Sequence, residues 1–217
     1  MAIVDPPYGI ERFKKSFGTT RFKSDKRTAE NGIEWDSKPN QEYFKELLRV
    51  SEYAIIWGAN NFTLPETEYF IVWNKEQTVD NFSSAEYAWT NCKKPAKVFT
   101  YSIHKNNQTE KIHPTQKPVQ LYRWLLQNYA SCKYCLNEGG YYEDVAGDGG
   151  SRMYIPCEEC CRADRNFRIL DTHGGSMSIA IACYMEGFDL DVIEIDEDYF
   201  NDAVKRFKLN TAQESLF

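Results

Sequence analysis

The stretch FRILDTHGGSMSIAIACYMEGFDLDVIEIDEDYFNDAVKRFKL, residues 167–209, decides the fold class of this chain. The short apolar runs at 167–171 and 189–196 have the composition of buried strands. Each run is followed by a segment with helical character, at 176–187 and at 197–209. Because strands that alternate with helices pair in parallel, this β-α-β-α order predicts an α/β fold with a mostly parallel sheet.

The turn after the first of these strands has the composition of a cofactor-binding loop. Gly174 and Gly175 let a ligand approach the backbone closely, and the helix that follows offers free N–H groups. Glu194, in the next strand after Asp171, lies near the position at which a carboxylate binds the hydroxyl pair of a ribose. THGGSMS does not match the pyrophosphate-binding pattern GxGxxG, so a cofactor with a ribose and no phosphates fits better, and S-adenosylmethionine is the common one. A plain strand-turn-helix connection is the alternative.

Upstream segments extend the same pattern. Helical spacing predicts a helix over 41–50, and short β-branched and aromatic runs predict strands at 54–59, 69–75 and 96–102. A further amphipathic helix is predicted to start with Pro118 at its first position, because proline suits that position.

A rigid tetrapeptide, DPPY at residues 5–8, follows the apolar run Ala2-Ile3-Val4. Two consecutive prolines remove two backbone donors and fix φ twice, so a strand ends before Asp5. A carboxylate and an aromatic ring held this way suit an exocyclic aromatic amine, whose delocalised lone pair makes it a weak nucleophile. Inside a nucleic-acid duplex such an amine is out of reach, and the base must be flipped out. A tight turn after a strand is the alternative.

Four motifs occur together in this chain: DPPYG (5–9), IHPTQKP (112–118), ILDTHGGSMSIAIAC (169–183) and VIEIDEDYFNDAVKRF (192–207). Together they resemble the β class of amino-methylating DNA methyltransferases, and specifically the small phage and prophage adenine-N6 enzymes. Further stretches at 55–62, 70–77 and 82–101 also resemble that group. The resemblance covers nearly the whole chain except 131–166.

The resemblance implies a Rossmann-like S-adenosylmethionine-dependent methyltransferase fold with a mixed, mostly parallel sheet, in which the catalytic strand precedes the cofactor strand. It implies that Asp5 and Pro6, in the motif that includes Pro7, engage the target amino group, and that Tyr8 stacks on a flipped adenine. An aspartate where cytosine-N4 enzymes more often carry serine favours adenine. The implied cofactor-binding residues surround the methionine end and the ribose or lie over the cofactor: Asp171, His173, Gly174, Gly175, Ser176, Glu194, His113, Thr115 and Lys117.

Two features depart from that family. The usual GSG of that family at the cofactor turn is Gly175-Ser176-Met177 here, which predicts less room between the cofactor and the turn at Met177. Relatives also carry a segment before DPPY that contacts the cofactor adenine, so either the sequence starts internally or other residues fill that place.

Four of the five cysteines in the segment 131–161 form two CxxC pairs: Cys132 and Cys135, then Cys157 and Cys160. Four thiolates in two such pairs indicate a structural zinc ribbon, since they close a tetrahedral site. The intervening glycine- and aspartate-rich sequence has little core of its own, and a metal would supply the missing folding energy. The alternatives are Cys161 in place of Cys160, four free thiols, or a redox pair.

These predictions give one methyltransferase domain, residues 1–130 and 162–217, interrupted by a zinc-binding insert at 131–161. Target recognition is expected within 10–50 and 76–111, because those segments lie outside the shared cofactor unit.

Composition predicts a cytoplasmic protein with a packed core. The 217 residues are 42% apolar, and no apolar run approaches the roughly 20 residues that span a bilayer. The N-terminus lacks a signal peptide, so no membrane partner is expected.

The net charge of −6 does not by itself indicate a nucleic-acid partner. Residues 11–27, however, hold seven basic against two acidic side chains and could contact phosphates; an ordinary solvated loop is the alternative, and charge alone favours it. The oligomeric state is open, a homodimer included. The alternative functions are a cytosine-N4 or RNA methyltransferase on the same fold, or an inactive zinc-stabilised DNA-binding module.

Overall fold

The computed structural model describes residues 1–9, 37–77, 83–102, 111–113, 115–130, 140–144, 152–156 and 168–212. The helices and strands in chain order are β1 (Ala2–Val4), α1 (Gln41–Val50), β2 (Ala54–Trp57), a 3₁₀ turn (Ala59–Asn61), β3 (Phe70–Asn74), β4 (Ala85–Thr90), β5 (Lys97–Thr100), α2 (Val119–Leu125) with a π-helical turn (Leu126–Ala130), β6 (Gly140–Asp144), β7 (Arg152–Pro156), β8 (Ile169–Asp171), α3 (Ser178–Glu186), β9 (Leu190–Val192) and α4 (Glu197–Ala212).

Seven of the described strands form one sheet, in the order β5-β3-β4-β2-β1-β8-β9. β1 lies next to the central strand, β2, and pairs in parallel with β2 and β8. β9 continues the parallel arrangement beside β8, and β5 is parallel to β3. β4 alone among these seven runs antiparallel, between β2 and β3. The first strand of the chain is therefore enclosed between strands on both sides.

Helices cover both faces of this sheet. α1 packs on one face through Phe44 and Leu47. On the other face, α2 and α3 pack through Leu121 and Ile179. Side chains of β1 and β2 alternate between the two faces, with Ala2, Val4, Ala54 and Ile56 on the first and Ile3, Ile55 and Trp57 on the second. This mixed, mostly parallel sheet with helices matches the Rossmann-like methyltransferase fold predicted from the sequence, so the predicted fold class is confirmed.

Several element boundaries differ from those predicted. The helix over 41–50 has the predicted bounds, and Asn40 caps it by accepting a 3.0 Å hydrogen bond from the Tyr43 N–H. Pro118 is the N-cap of α2 instead of its first residue. The strand predicted over 189–196 ends at Val192, because the backbone from Ile193 onward turns to contact the glycine loop. β4 was not predicted separately.

The predicted insert contains a pair of antiparallel strands, β6 and β7, in which Gly140 lies opposite Pro156. The four cysteines of the two CxxC pairs and the basic segment 11–27 lie outside the described residues. In the described part of the chain, no helix has the length and apolarity needed to cross a membrane.

Candidate active site

The carboxyl ends of the parallel strands meet at one edge of the sheet, which is where open α/β folds bind ligands. A cavity of about 950 Å³ opens at this edge. Its lining includes residues from both predicted sets: Asp5, Pro6, Pro7, Tyr8, His113, Thr115, Lys117, His173, Gly174, Gly175, Ser176 and Glu194. Asp171 is the remaining predicted residue, and it is buried beside the cavity. The fold thus brings together two motifs from opposite ends of the sequence, one at its start and one in its last quarter.

Asp5 lies directly after β1, where the two prolines end the strand. Its Oδ1 accepts a 2.7 Å hydrogen bond from the Tyr8 hydroxyl, and its Oδ2 contacts the ammonium of Lys117. A carboxylate has about four lone-pair positions, so Asp5 retains the capacity to accept a hydrogen bond from a ligand. Burial, followed by the charge of Asp5, raises the pKa of the Tyr8 hydroxyl well above its ordinary value, so Tyr8 stays neutral.

The ring of Tyr8 lies against the backbone of Gly58, the residue after β2. A Cβ atom at Gly58 would come within 2.0 Å of Tyr8 Cε1, so only glycine fits here. Gly58 also has a φ of +66°, which favours glycine independently. Phe62 supports the same ring edge-on, at a centroid distance of 6.0 Å. Tyr8 is therefore held in one orientation at the mouth of the cavity.

Lys117 belongs to the segment that the resemblance places over the cofactor, and the structure locates its ammonium at Asp5. Its side chain is 3% exposed, and it forms a second ion pair of 2.9 Å with Glu86. Glu86 in turn pairs with Lys75 at 2.5 Å. The Asp5 end of the cavity therefore carries four alternating charges.

The glycine turn after β8 is held by the strand end next to it. The Gly174 N–H donates to the Ile193 carbonyl at 2.8 Å, and a Cβ at Gly174 would come within 2.7 Å of Val192. Glu194 Oε2 accepts from the Gly175 N–H at 2.6 Å, while its Oε1 accepts from the Asp196 N–H at 2.9 Å. These bonds fix the carboxylate at the rim of the turn, where its remaining lone pairs can accept hydroxyl groups.

A buried arginine of α4 supports the other side of this turn. Arg206 donates to the Ser176 carbonyl at 2.8 Å and to the Ser178 hydroxyl at 3.2 Å. Between them, Met177 has a φ of +52°, a left-handed conformation that is costly for a residue with a side chain. The turn thus keeps its left-handed geometry at the position where the family pattern has glycine.

Asp171 is 2% exposed and accepts a 3.0 Å hydrogen bond from the His173 N–H. Burial raises the pKa of its carboxyl to about 7, although the bond from His173 opposes that shift; the charges of Asp5 and Glu194 add to it. Asp171 can therefore release a proton and become a carboxylate when a cationic ligand binds nearby.

Two neutral histidines complete the cavity wall. Burial lowers the pKa of His173 to about 4, and burial together with the charges of Lys111 and Lys117 lowers the pKa of His113 to about 4. His113 Nδ1 lies 3.0 Å from the Thr115 hydroxyl. The His113 ring covers Gly175, with ring atoms 3.8 Å from a Cβ built there, and packs edge-on against Tyr199 at 4.5 Å.

The glycine-turn half of the cavity fits S-adenosylmethionine by its donor set. It offers a close backbone approach at Gly174 and Gly175, a fixed carboxylate at Glu194 for a ribose, and the carboxyl group of Asp171 for a cationic ligand.

Sequence reasoning did not identify five side chains or backbone positions that shape this cavity: Tyr43, Gly58, Lys75, Glu86 and Arg206. Tyr43 packs on His173 and bonds Thr172 Oγ1 at 2.6 Å. Apart from Gly58, they act through contacts between segments that are distant in sequence, so no local pattern marks these four. The residue most open to detection was Gly58, since a glycine directly after a buried strand indicates a close backbone approach.

No protein-family model matches the chain, and no curated protein matches it. Several solved structures are similar in overall arrangement. M1.HpyAVI in complex with SAM has 15% identity and a TM-score of 0.44, over 95% of this chain and 86% of that one. The PvuII DNA methyltransferase, described as cytosine-N4-specific, has 11% identity and a TM-score of 0.47, over 97% and 83%. TTHA0409 from Thermus thermophilus, complexed with S-adenosyl-L-methionine, has 12% identity and a TM-score of 0.40, over 96% and 85%.

Replacing Gly58 by alanine should destabilise the protein more than the same change at Gly187. Both glycines have positive φ, +66° and +74°, so both changes introduce backbone strain, on the order of 1 kcal/mol. Only at Gly58 would the new Cβ meet the Tyr8 ring, whereas no described atom lies within 4 Å at Gly187. Urea unfolding measures the difference, which should shrink in a Tyr8→Ala background. Equal losses at both glycines would contradict the packing of Tyr8 on Gly58.

Replacing Asp171 by asparagine should remove a contribution to stability that falls as pH rises between pH 4 and pH 7. The pKa of Asp171 is about 7 in the folded protein against an ordinary value of 3.8, so the folded state binds a proton that the unfolded state has lost. The contribution of Asp171 to the unfolding free energy therefore falls through this window, on the order of a few kcal/mol, whereas the lowered pKa values of His113 and His173 give contributions of the opposite sign. The difference in unfolding free energy between Asp171→Asn and the unmodified protein should therefore change steadily with pH, and the exposed Asp189→Asn should show no such change. Urea titrations at pH 5, 6, 7 and 8 give the unfolding free energy of each protein. The same pH dependence in the Asp171 variant and in the unmodified protein would refute this prediction.

Proposed function

We propose that this chain is an S-adenosylmethionine-dependent DNA methyltransferase that methylates N6 of adenine in a flipped-out base. The observation that carries this proposal is a cavity lined at one end by Asp5 and Tyr8 and at the other by the glycine turn and Glu194. One end has the groups that an aromatic amine needs, and the other has those of a ribose-containing cofactor without phosphates. At about 950 Å³, the cavity lies near the upper end of ligand-site volumes, which suits a cofactor together with a base.

The chemistry assigned to each residue follows from its position. Tyr8, neutral and fixed on Gly58, presents a ring face on which a flipped base can stack. Asp5 accepts a hydrogen bond from the amino group, which localises the nitrogen lone pair for attack. A cofactor held by the glycine turn and Glu194 would supply an electrophilic methyl group bonded to sulfur, and the sulfur would keep the electron pair of that bond on transfer. Asp5 would accept the surplus N–H proton of the methylated amine and pass it to water.

Adenine is the proposed target because the motif begins with aspartate. An anionic carboxylate is a stronger acceptor than a serine hydroxyl and stabilises the positive charge that develops on the amine during attack. Contacts to phosphates are assigned to the basic stretch 11–27, and target choice to segments within 10–50 and 76–111. We assign the protein to the cytoplasm, where its substrate DNA would be accessible.

Replacing Asp5 by alanine should abolish methyl transfer and leave cofactor affinity largely unchanged, because Asp5 lies at the amine end of the cavity. The measurement incubates the protein with tritiated S-adenosylmethionine and unmethylated DNA or RNA, followed by mass spectrometry of the nucleosides. N6-methyladenine from DNA is expected. Calorimetry measures cofactor affinity, and the exposed Asp189→Ala serves as the matched control.

Three results would contradict the assignment in distinct ways. N4-methylcytosine or a methylated RNA nucleoside would show that the acceptor is not N6 of adenine in DNA. Full activity in Asp5→Ala would remove the catalytic role of the motif. Absence of cofactor binding would indicate an inactive DNA-binding module.

We also propose that residues 131–161 form a zinc-binding insert within the methyltransferase domain. The support lies in the register of β6 and β7, which places Gly140 opposite Pro156. One CxxC pair ends shortly before Gly140, and the other begins directly after Pro156, so both pairs adjoin the same end of the strand pair. Among the described residues no cluster of metal-binding side chains occurs, so a zinc site would have to be formed by residues outside them.

The purified protein should contain one zinc ion per chain, held by Cys132, Cys135, Cys157 and Cys160. Cys132→Ser and Cys157→Ser should lose the metal and lower the unfolding temperature, while Cys92→Ser, outside the insert, retains it. Elemental analysis gives the stoichiometry, and a Cys160→Ser and Cys161→Ser pair identifies the fourth ligand. A metal-free native protein, or retention of zinc in both Cys132→Ser and Cys157→Ser, would overturn the proposal.

A further inference from the structure

Four charged side chains alternate in sign along the wall of the cavity at its Asp5 end. Asp5 Oδ2 contacts Lys117 Nζ, which lies 2.9 Å from Glu86 Oε2. Glu86 Oε1 then lies 2.5 Å from Lys75 Nζ. All four side chains line the cavity. Two carboxylates and two ammonium groups thus balance each other, and only Asp5 and Lys117 belong to motifs that the sequence resemblance identifies.

Lys117 is the most constrained member of this group. Its side chain is 3% exposed, and its ammonium also lies 5.5 Å from the centre of the Trp57 ring. A buried charge must be paired, or its desolvation is strongly unfavourable. Burial alone would lower the pKa of Lys117, but the carboxylates of Asp5 and Glu86 raise it above its ordinary value. Lys117 therefore remains a cation shared between two acids.

The sheet fixes Glu86 and Lys75 next to each other. Glu86 lies opposite Trp73 in the β3–β4 register, and the Lys75 N–H donates to the Ser84 carbonyl at 2.9 Å. Burial would raise the pKa of Glu86, but the charges of Lys117 and Lys75 lower it to about 2. Glu86 is thus a permanent anion on a rigid strand.

We propose that Glu86 and Lys75 are positioning residues for the amine end of the site: they hold Lys117 between two carboxylates and so set the charge and orientation of Asp5. The catalytic part of this inference rests on the proposed function, whereas the charge coupling to Asp5 rests on the structure alone. The ion pair with Glu86 holds the ammonium between two carboxylates, and the lone pairs that Asp5 does not use for Lys117 and Tyr8 remain available to a target amino group.

Removing the charge of Glu86 and removing the charge of Lys75 should affect the protonation of Asp5 in opposite directions. In Glu86→Gln, Asp5 becomes the one carboxylate of this described group of four that faces the two lysines, so its carboxylate form is favoured. In Lys75→Met, two carboxylates share one ammonium, so protonation is favoured. The other titratable groups that face Asp5 are the same in both variants: the Tyr8 hydroxyl, Tyr122 from α2 and Asp171 from β8.

The direct test is a carbon-13 NMR titration of aspartate carboxyls in the cofactor-free protein, with Asp5→Asn to assign the Asp5 signal. The Asp5 signal should move toward the carboxylate form in Glu86→Gln and toward the protonated form in Lys75→Met at a given pH. Glu46→Gln and Lys45→Met, which change the same residue types at exposed positions, should leave it in place. Circular dichroism checks the fold of each variant.

Methylation assays test the catalytic part. Glu86→Gln should lower kcat about tenfold with cofactor affinity within twofold of the unmodified enzyme, and Glu86→Asp should recover part of the rate. An Asp5 midpoint that moves in neither variant would overturn the coupling. Shifted midpoints with unchanged kcat would overturn the positioning role. A protein that methylates no nucleic acid would refute the proposed function while leaving the titration result intact, so the two failures are distinguishable.

Discussion

A buried ammonium that must be neutralised organises this site. Lys117 is almost completely withdrawn from solvent, and its two carboxylate partners come from the end of β1 and from β4. Lys117 and Asp5 are 112 residues apart in the chain. Since an unpaired buried charge would cost several kcal/mol, the folded state requires the segment before α2 to close against the end of β1. β4, which pairs with β2 and β3, brings Glu86 to the same ammonium.

The segment that carries Lys117 also reaches the other half of the cavity. Shortly before Lys117, the His113 ring covers Gly175 and packs against Tyr199 of α4. Both contacts are made by a neutral ring, because burial and the neighbouring lysines lower the pKa of His113 to about 4. A single short segment is thus held by charge at one end and by packing at the other. The Asp5 end of the cavity and the glycine turn are therefore joined by one short segment.

Local patterns predicted the elements that depend on local physics. The helix at 41–50 could be located because its amphipathic spacing lies within the segment, and the fold class followed from the order of strands and helices. The strand after α3 was predicted too long, since its last residues bind the glycine turn instead of a neighbouring strand. Glu86 and Lys75 were not identified because their role depends on the pairing of β3 with β4 and on a lysine in a much later segment of the chain. Residues within the sequence motifs could therefore be selected from sequence. Residues such as Glu86 and Lys75, which contact a motif residue from another part of the sheet, could not.

Met177 shows how a departure from the family pattern is accommodated. The turn needs a left-handed residue before α3, and a methionine in that conformation costs roughly 1–2 kcal/mol relative to glycine. Its side chain is 4% exposed, and burial of a methionine side chain contributes about 1.5–3 kcal/mol. The two effects are of similar size, so the substitution is tolerated while the geometry is kept. Arg206 holds the Ser176 carbonyl directly before this strained position, and that bond stabilises the left-handed turn against relaxation. The tighter approach expected from the sequence is thus resolved by packing the side chain into the core, away from the cavity that Gly174 and Gly175 line.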